Sequence, residues 1–381
     1  MRVAFASCSN THQQVEQPIW GIIQHQCPDL LLLLGDNVYI GKEGYDPDPL
    51  VKIPFLRLDM QKIILKAKYE ALKKEDHFHN LTKKVDFLAT WDNHDFGLPG
   101  LSYPNDNIPK YGAYVSPEFR KMTRELFDEY IKSRSLKPDS KEVYCSKTIN
   151  RIKFIMLDVR SYQTDPRPSR QPAGFPGYVT LLGKDQEQWL IDELRNDDAE
   201  IKVICSGMAY SEGNANWLAY PAWNKIFREK ILQTSKVLFL GGNIHKNKFK
   251  SHRINDVSKP SNTPSAKAAS ERFPGLPGKT FYEIISSGVG RNMKRKIASP
   301  DIGFKLNSVN ESDENDDMAE HEGEDRTDMP AFNNYGMIDF TSSEVIISLY
   351  GQRQRDLHYA VINRNDWTLK GYWKMLPAEL E

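Results

Sequence analysis

Five short apolar runs in this chain each end in side chains that can hold a metal or move a proton. Cys8 follows "RVAFAS", Asp36 and Tyr39 follow "DLLLLLG", and Asp92, Asn93 and His94 follow "VDFLATW". Asp158 and Arg160 follow "IKFIML", and Asn243 and His245 follow "KVLFLGG". Each ending taken alone has an ordinary explanation: an aspartate behind a strand often caps the next turn, a free cysteine is usually a buried small hydrophobe, and Arg160 has Asp158 close by in sequence. Taken together they suggest one rim, because ligand sites in α/β sheets gather at the carboxyl ends of the strands. Carboxylate, amide, imidazole, thiolate and phenolate are all metal donors, and thiolate with phenolate favours a transition metal over magnesium or calcium at one position. Two metals about 3.5–4 Å apart, bridged by one carboxylate, form a device for phosphoryl chemistry. Asp36, the acid on the most apolar run, is the natural bridge.

The elements that must position these residues alternate between strand and helix. Strands are expected at 2–7, 29–34, 85–90, 152–157, 201–205, 236–240 and 280–286, with further alternating patterns in "YGMIDF" and "EVIISLY". The five leucines of 30–34 are too few to span a membrane, which takes roughly 20 residues, and suit a strand buried on both faces. Helical spacing of apolar residues covers 13–26, 56–75, 116–132 and 183–194, the third opened by Ser116-Pro117-Glu118 in N-cap and first-turn positions. Residues 255–279 and the acidic run 306–330 read as loop insertions. His12, His25, His77, His79 and His252 lack a strand-end context and are expected at the surface, whereas Trp189, Trp217 and Trp223 are expected in the core.

The chain of 381 residues balances 51 Lys+Arg against 51 Asp+Glu, which gives no support to a nucleic-acid or membrane-surface role. Its four cysteines lack zinc-type pairing and are too sparse for a disulfide scaffold. No signal peptide is visible in "MRVAFASC", so a cytoplasmic location is favoured, although export by a non-classical route would look the same. No run is long enough for a transmembrane segment, and oligomeric state is not legible.

The motifs resemble the metallophosphoesterases, and more narrowly the alkaline phosphatase D (PhoD-like) family. The resemblance runs in order through "FASCSN" (5–10), "GDNVY" (35–39), "ATWDNHDFG" (89–97), "LDVRSY" (157–162) and "LLGKDQEQWL" (181–190). It continues in "ICSGMAY" (204–210) with "WLAYPAW" (217–223), "GGNIHKNKF" (241–249), "FYEIISSGV" (281–289) and "NNYGMIDF" (333–340). It implies a single domain over 1–381 with a four-layer α/β/β/α sandwich, two mixed β-sheets flanked by helices. It implies a metal set of Cys8, Asp36, Tyr39, Asn93, Asn243 and His245. His94 is implied at the phosphate or leaving group, and Asn10 and Arg160 on the substrate. The implied activity is metal-dependent hydrolysis of a small-molecule or lipid phosphate ester, monoester or diester. Two or more divalent or trivalent ions are implied, iron and calcium by resemblance, with manganese or zinc as other choices.

Two departures from the family pattern bear on function. The last motif usually carries an aspartate where this chain has Asn243, so one cation loses a charged ligand. The family's Gly-x-Asn-Asp after the histidine motif is replaced by Gly97-Leu98-Pro99, with "YPNDN" only at 103–107. Both motivate a second expectation, a degenerate member that binds a phosphorylated ligand or partner without turnover. An iron-centred oxidoreductase is disfavoured by the lack of a GxGxxG or haem motif.

Overall fold

The structure is a computed structural model that describes residues 1–9, 17–39, 58–97, 112–137, 139–167, 179–195, 199–213, 216–220, 236–253, 280–289, 333–351 and 357–375. Asn10, His12, Trp223, "YPNDN" and both expected loop insertions, 255–279 and 306–330, lie outside the described residues.

Two facing sheets form the centre. The first has seven strands, with β1 (Arg2–Ala6), β2 (Leu30–Leu34) and β3 (Phe87–Thr90) parallel at one side. Strands β10 (Asn334–Phe340), β11 (Glu344–Gly351), β12 (Leu357–Asn363) and β13 (Leu369–Met375) continue it as an antiparallel meander, in the order β13-β12-β11-β10-β1-β2-β3. The second has β4 (Cys145–Ile149), β5 (Ile152–Leu157), β6 (Ile201–Ser206), β7 (Lys236–Gly241), β8 (Asn247–Arg253) and β9 (Thr280–Ser286) in the order β4-β5-β6-β7-β9-β8. Strands β5, β6, β7 and β9 are parallel, and β4 and β8 edge them antiparallel.

The run of five leucines is explained by burial on both faces. Leu30, Leu32 and Leu34 join Val3, Phe5 and Leu88 in the core between the sheets, against Phe154, Met156, Val203, Cys205, Leu238 and Leu240. Leu31 and Leu33 point the other way, with Ala4, Ala6, Phe87 and Ala89, into the core beneath the helices. Those helices are α1 (Pro18–His25), α2 (Leu58–Lys74), α3 (Asp76–Lys84) and α4 (Pro117–Tyr130). Each fully buried leucine contributes about 2 kcal/mol on transfer from water. On the far side, Ile155, Leu157, Ile204, Val237 and Phe239 pack with Leu190 and Leu194 of α5 (Lys184–Arg195). Helices therefore flank both sheets, as the resemblance implied.

The helices start where side chains can take their free N–H groups. Ser116 accepts from Phe119 N–H at 3.2 Å, and Glu75 accepts from Phe78 N–H at 2.5 Å. The Glu75 cap opens α3 directly behind α2; the helix expected over 56–75 ends there, and α3 itself was not expected from the periodicity. At the other end of α5, two buried lysines of adjacent strands meet the closing carbonyl end: Lys153 pairs with the Glu193 carboxylate at 3.0 Å, and Lys202 donates to Leu194 O. A cation there complements the helix dipole.

The turn after β12 is clamped to the second sheet. Arg364 donates to both Glu200 oxygens, at 3.2 and 3.0 Å, and Lys236 adds a third contact at 3.0 Å. The Arg364 hydrogen bond, reinforced by Lys236, holds the Glu200 carboxyl below its ordinary value. A depressed folded-state pKa stabilises the fold above the unfolded Glu value of about 4.3, and that stabilisation is lost as pH falls through the folded value. Glu200→Gln should therefore lower stability by about 1 kcal/mol at neutral pH. Urea unfolding across pH should show the two proteins converging in acid; a gap that widens as pH falls would contradict the assignment.

Candidate metal centre

Strands β1, β2 and β7 end together. Ligand atoms of Cys8, Asp36 and His245 all lie within 4.8 Å of one another. Cys8 Sγ donates to Asp36 Oδ2 at 3.7 Å. Tyr39 closes the group, its hydroxyl 3.1 Å from Asp36 Oδ2 and 2.9 Å from His245 Nε2. The second Asp36 oxygen accepts from the His94 backbone N–H at 3.1 Å, and the His94 ring lies 4.0 Å from the Tyr39 ring between centroids.

The backbone is bent to make this convergence. Cys8, Asp36, Asn243 and His245 all have left-handed φ, at 60°, 50°, 73° and 55°. They are four of eight such non-glycine residues among the described ones. Strained φ collects where surrounding structure over-determines it, as at functional sites. Here Ser9 N–H holds Asp36 O at 2.8 Å, and Asn37 N–H donates to Asp95 at 3.1 Å. Asp95 is buried and also accepts from Asn37 Nδ2, Tyr69 O–H and Asp92 N–H. Burial and the nearby Asp36 charge push Asp95 up to about 8, against the pull of those hydrogen bonds. Gly35 is required at its turn: at φ 92°, an added Cβ would sit 2.7 Å from the Asp92 Cβ.

Arg160 reaches the same region from β5, and its ionic partner differs from the one adjacent in sequence. Its guanidinium Nε pairs with Asp92 Oδ1, while Asp158 takes the Arg160 backbone N–H at 2.9 Å. Asp158 also accepts from Trp91 Nε1 at 2.7 Å, so it serves the turn rather than the guanidinium. Burial pushes Asp92 up to about 6; the Arg160 charge pulls it back and Asp36 adds to the rise. Gly207 leaves room for this carboxylate, since a Cβ there would lie 2.8 Å from it.

The remaining candidates sit on the same turns. Asn93 is half-buried beside His94, and Asn243 is half-buried two residues before His245. Asp95 and Gln163 were missed as site residues by sequence reasoning, although Asp95 stands inside the "WDNHD" motif, and Asp92 was placed at the rim without a role. The histidine and tryptophan expectations need correction: His25 is exposed, but His77 and His79 are half-buried. His252 is not a surface residue: its ring bonds the buried Glu283 at 2.8 Å, which also holds Tyr210 N–H, Ser211 N–H and Ser211 O–H. Trp217 is in the core, but Trp189 is only half-buried.

The donor set fits a metal. A thiol, a carboxylate, an imidazole and a phenol face one point; hydrogen bonds from Tyr39 and Ser7 favour the ionised thiol but are outweighed, and cation charge would supply the rest. Without it, burial and Asp36 push the Cys8 thiol well above its ordinary value.

Two facing sheets inside helices, with metal-donor side chains at the ends of parallel strands, define a metallophosphoesterase-type sandwich. The chain belongs to the PhoD-like phosphatase family, whose family model matches residues 3–347. It is 25% identical over 283 residues to alkaline phosphatase D of Bacillus subtilis (strain 168). That match covers 64% of this chain and 46% of the relative, so it spans about half of that protein's length. A solved structure described as the structure of PhoD shares the fold, with a TM-score of 0.63 at 17% identity, over 98% of this chain and 71% of that one. Among the described residues, no helix is long and apolar enough to cross a membrane.

Proposed function

We propose that this chain is a metal-dependent hydrolase of phosphate esters, carried by a single domain. The observation that supports it is the convergence of Cys8, Asp36 and His245 within 4.8 Å, with the Tyr39 hydroxyl between two of them. These four, with Asn93 and Asn243, would hold the ions, Asp36 as the bridge. Thiolate and imidazole suit iron or zinc, and the oxygen donors suit calcium or manganese. Bound ions supply positive charge that makes water a nucleophile near neutral pH and draws charge from the phosphoryl oxygens.

The chain's own residues do the rest. Arg160 is held by Asp92 and offers its remaining N–H groups to the equatorial oxygens. His94 lies beside Tyr39, where it can donate a proton to the departing alkoxide. Neither role needs a covalent intermediate, and the cysteine is occupied as a ligand. The substrate is a small-molecule or lipid ester, because the balanced charge offers no track for a nucleic acid. Cys8, Cys27, Cys145 and Cys205 are all free, which suits a reducing compartment. Elemental analysis of the purified protein, run beside hydrolysis of an aryl phosphate monoester and its diester, tests this function. Stoichiometric metal with turnover supports it. Metal and phosphate binding without turnover would favour the non-catalytic binder.

Asn243 offers a graded test. A carboxylate there would meet a cation with stronger Coulomb attraction than an amide does, and aspartate tolerates the left-handed φ of 73°. Asn243→Asp should raise activity at limiting metal by roughly tenfold and change it little at saturation. Identical metal titrations for both proteins would remove position 243 from the metal site.

A further inference from the structure

The Arg160 guanidinium is anchored at two of its five N–H groups, and the second anchor is a neutral amide with an unusual degree of support. Nη1 donates to Gln163 Oε1 at 3.1 Å, beside the Nε contact with Asp92. Gln163 Nε2 donates to the Tyr220 hydroxyl at 3.0 Å, and that hydroxyl donates to Thr164 O at 2.9 Å. All three side chains are buried.

The direction of this chain matters. A phenol has one proton, and Tyr220 places it on Thr164 O, so toward Gln163 it can only accept. The amide must then turn its nitrogen to Tyr220 and its oxygen to Arg160. The flipped amide would put an NH₂ against a cation. Tyr220 thus selects the Gln163 orientation that holds Arg160. Asp92 alone would leave the planar guanidinium one point about which to pivot. Two anchors on different nitrogens fix its plane. No Nη2 contact occurs among the described residues, so the held plane leaves that nitrogen for a ligand.

We propose that Gln163 and Tyr220 are positioning residues that lock the Arg160 guanidinium in the plane from which Nη2 grips the phosphoryl oxygens of the substrate. The proposal rests on the phosphate role given to Arg160 above. The Tyr220 hydroxyl supports Arg160 through Gln163. The contribution is to binding of the phosphoryl group in the ground state and the transition state alike, so it falls on KM more than on kcat.

The test uses the full chain loaded with metal, as wild type, Gln163→Met, Tyr220→Phe and the double variant. Hydrolysis of an aryl phosphate ester gives kcat and KM, calorimetry gives the Kd of inorganic phosphate, and thermal unfolding checks the fold. Gln163→Met should raise both KM and the phosphate Kd by about tenfold, with kcat nearly kept. Tyr220→Phe should raise the same two quantities by a smaller factor. The double variant should match Gln163→Met, because the Tyr220 effect is already spent. Unchanged phosphate Kd in folded Gln163→Met, or effects that multiply in the double variant, overturns the proposal. If Gln163→Met does not fold, Tyr220→Phe decides by its phosphate Kd alone. A wild type that hydrolyses and binds phosphate while the variants match it fails this inference only; a metal-loaded wild type that does neither overturns the phosphate-ester function as well.

Discussion

Replacing Asp36 with asparagine is expected to abolish turnover and metal retention while leaving the metal-free fold at least as stable as before. Asparagine tolerates the left-handed φ of 50° at this position, and its Oδ1 can still accept from His94 N–H. The change removes the charge and turns the Oδ2 acceptor into an amide donor; Tyr39, which donates to Oδ2, can give its proton to His245 Nε2 at 2.9 Å instead, and the Cys8 thiol loses a weak contact of 3.7 Å. That charge is costly when no cation balances it: it adds to the upward shifts of Cys8, Asp92 and Asp95. Neutralising it relieves the repulsion, so the metal-free variant should unfold at the same temperature or higher. With metal the order reverses. A ligand that binds only the folded state stabilises by RT ln(1 + [L]/Kd), and the variant loses that gain with its affinity. Activity should fall by more than the roughly 10–100-fold that loss of an outer-shell partner brings. Metal content, and unfolding temperature with and without added metal, read both halves. Near-normal metal in Asp36→Asn would mean that this carboxylate is not the bridge.

The strand ends were legible because the two signals that mark them are local. An apolar run of the right length reads as a strand, and a donor side chain directly behind it reads as a rim residue, so Cys8, Asp36, His94, Arg160 and His245 could all be placed on one edge before any contact was known. Edge strands carry a weaker signal. β4 and β8, "CSKTI" and "NKFKSHR", are polar on one face and border the second sheet, and they were given no element from the sequence. The strained turns at Cys8, Asp36, Asn243 and His245 were invisible because φ depends on hydrogen bonds to distant segments, such as Ser9 N–H to Asp36 O. The same holds for the partner of Arg160. Asp158 is two residues away in sequence, yet Asp92, 68 residues away, receives the guanidinium. Pairing across the two sheets is a property of the fold's register, which no spacing rule supplies. Gln163 and Tyr220 fell outside notice for a plainer reason: a neutral amide and a phenol without a strand end carry no chemical signal until the cation they serve is seen.

His94→Ala should separate leaving-group chemistry from metal binding. His94 meets Asp36 through its backbone N–H, at 3.1 Å, and alanine keeps that group. The ring is 3% exposed and packs on Tyr39, while the three clustered ligand atoms come from Cys8, Asp36 and His245. Metal content should therefore stay close to wild type. Turnover should not. Loss of a positioned acid typically costs about 10²–10⁴ in rate, but the size depends on how much the leaving group needs a proton. An acidic aryl alcohol departs readily as an anion, whereas an alkyl alcohol does not. The expected result is a small loss with an aryl ester of low leaving-group pKa and a loss at the upper end of that range with an alkyl ester of the same phosphoryl group. The slope of log kcat against leaving-group pKa should steepen accordingly. Equal losses with both esters would move His94 from the leaving oxygen to the equatorial oxygens, where proton demand is the same for each. Parallel loss of metal and activity would make it a ligand, and the phosphate-side role would pass to Arg160 alone.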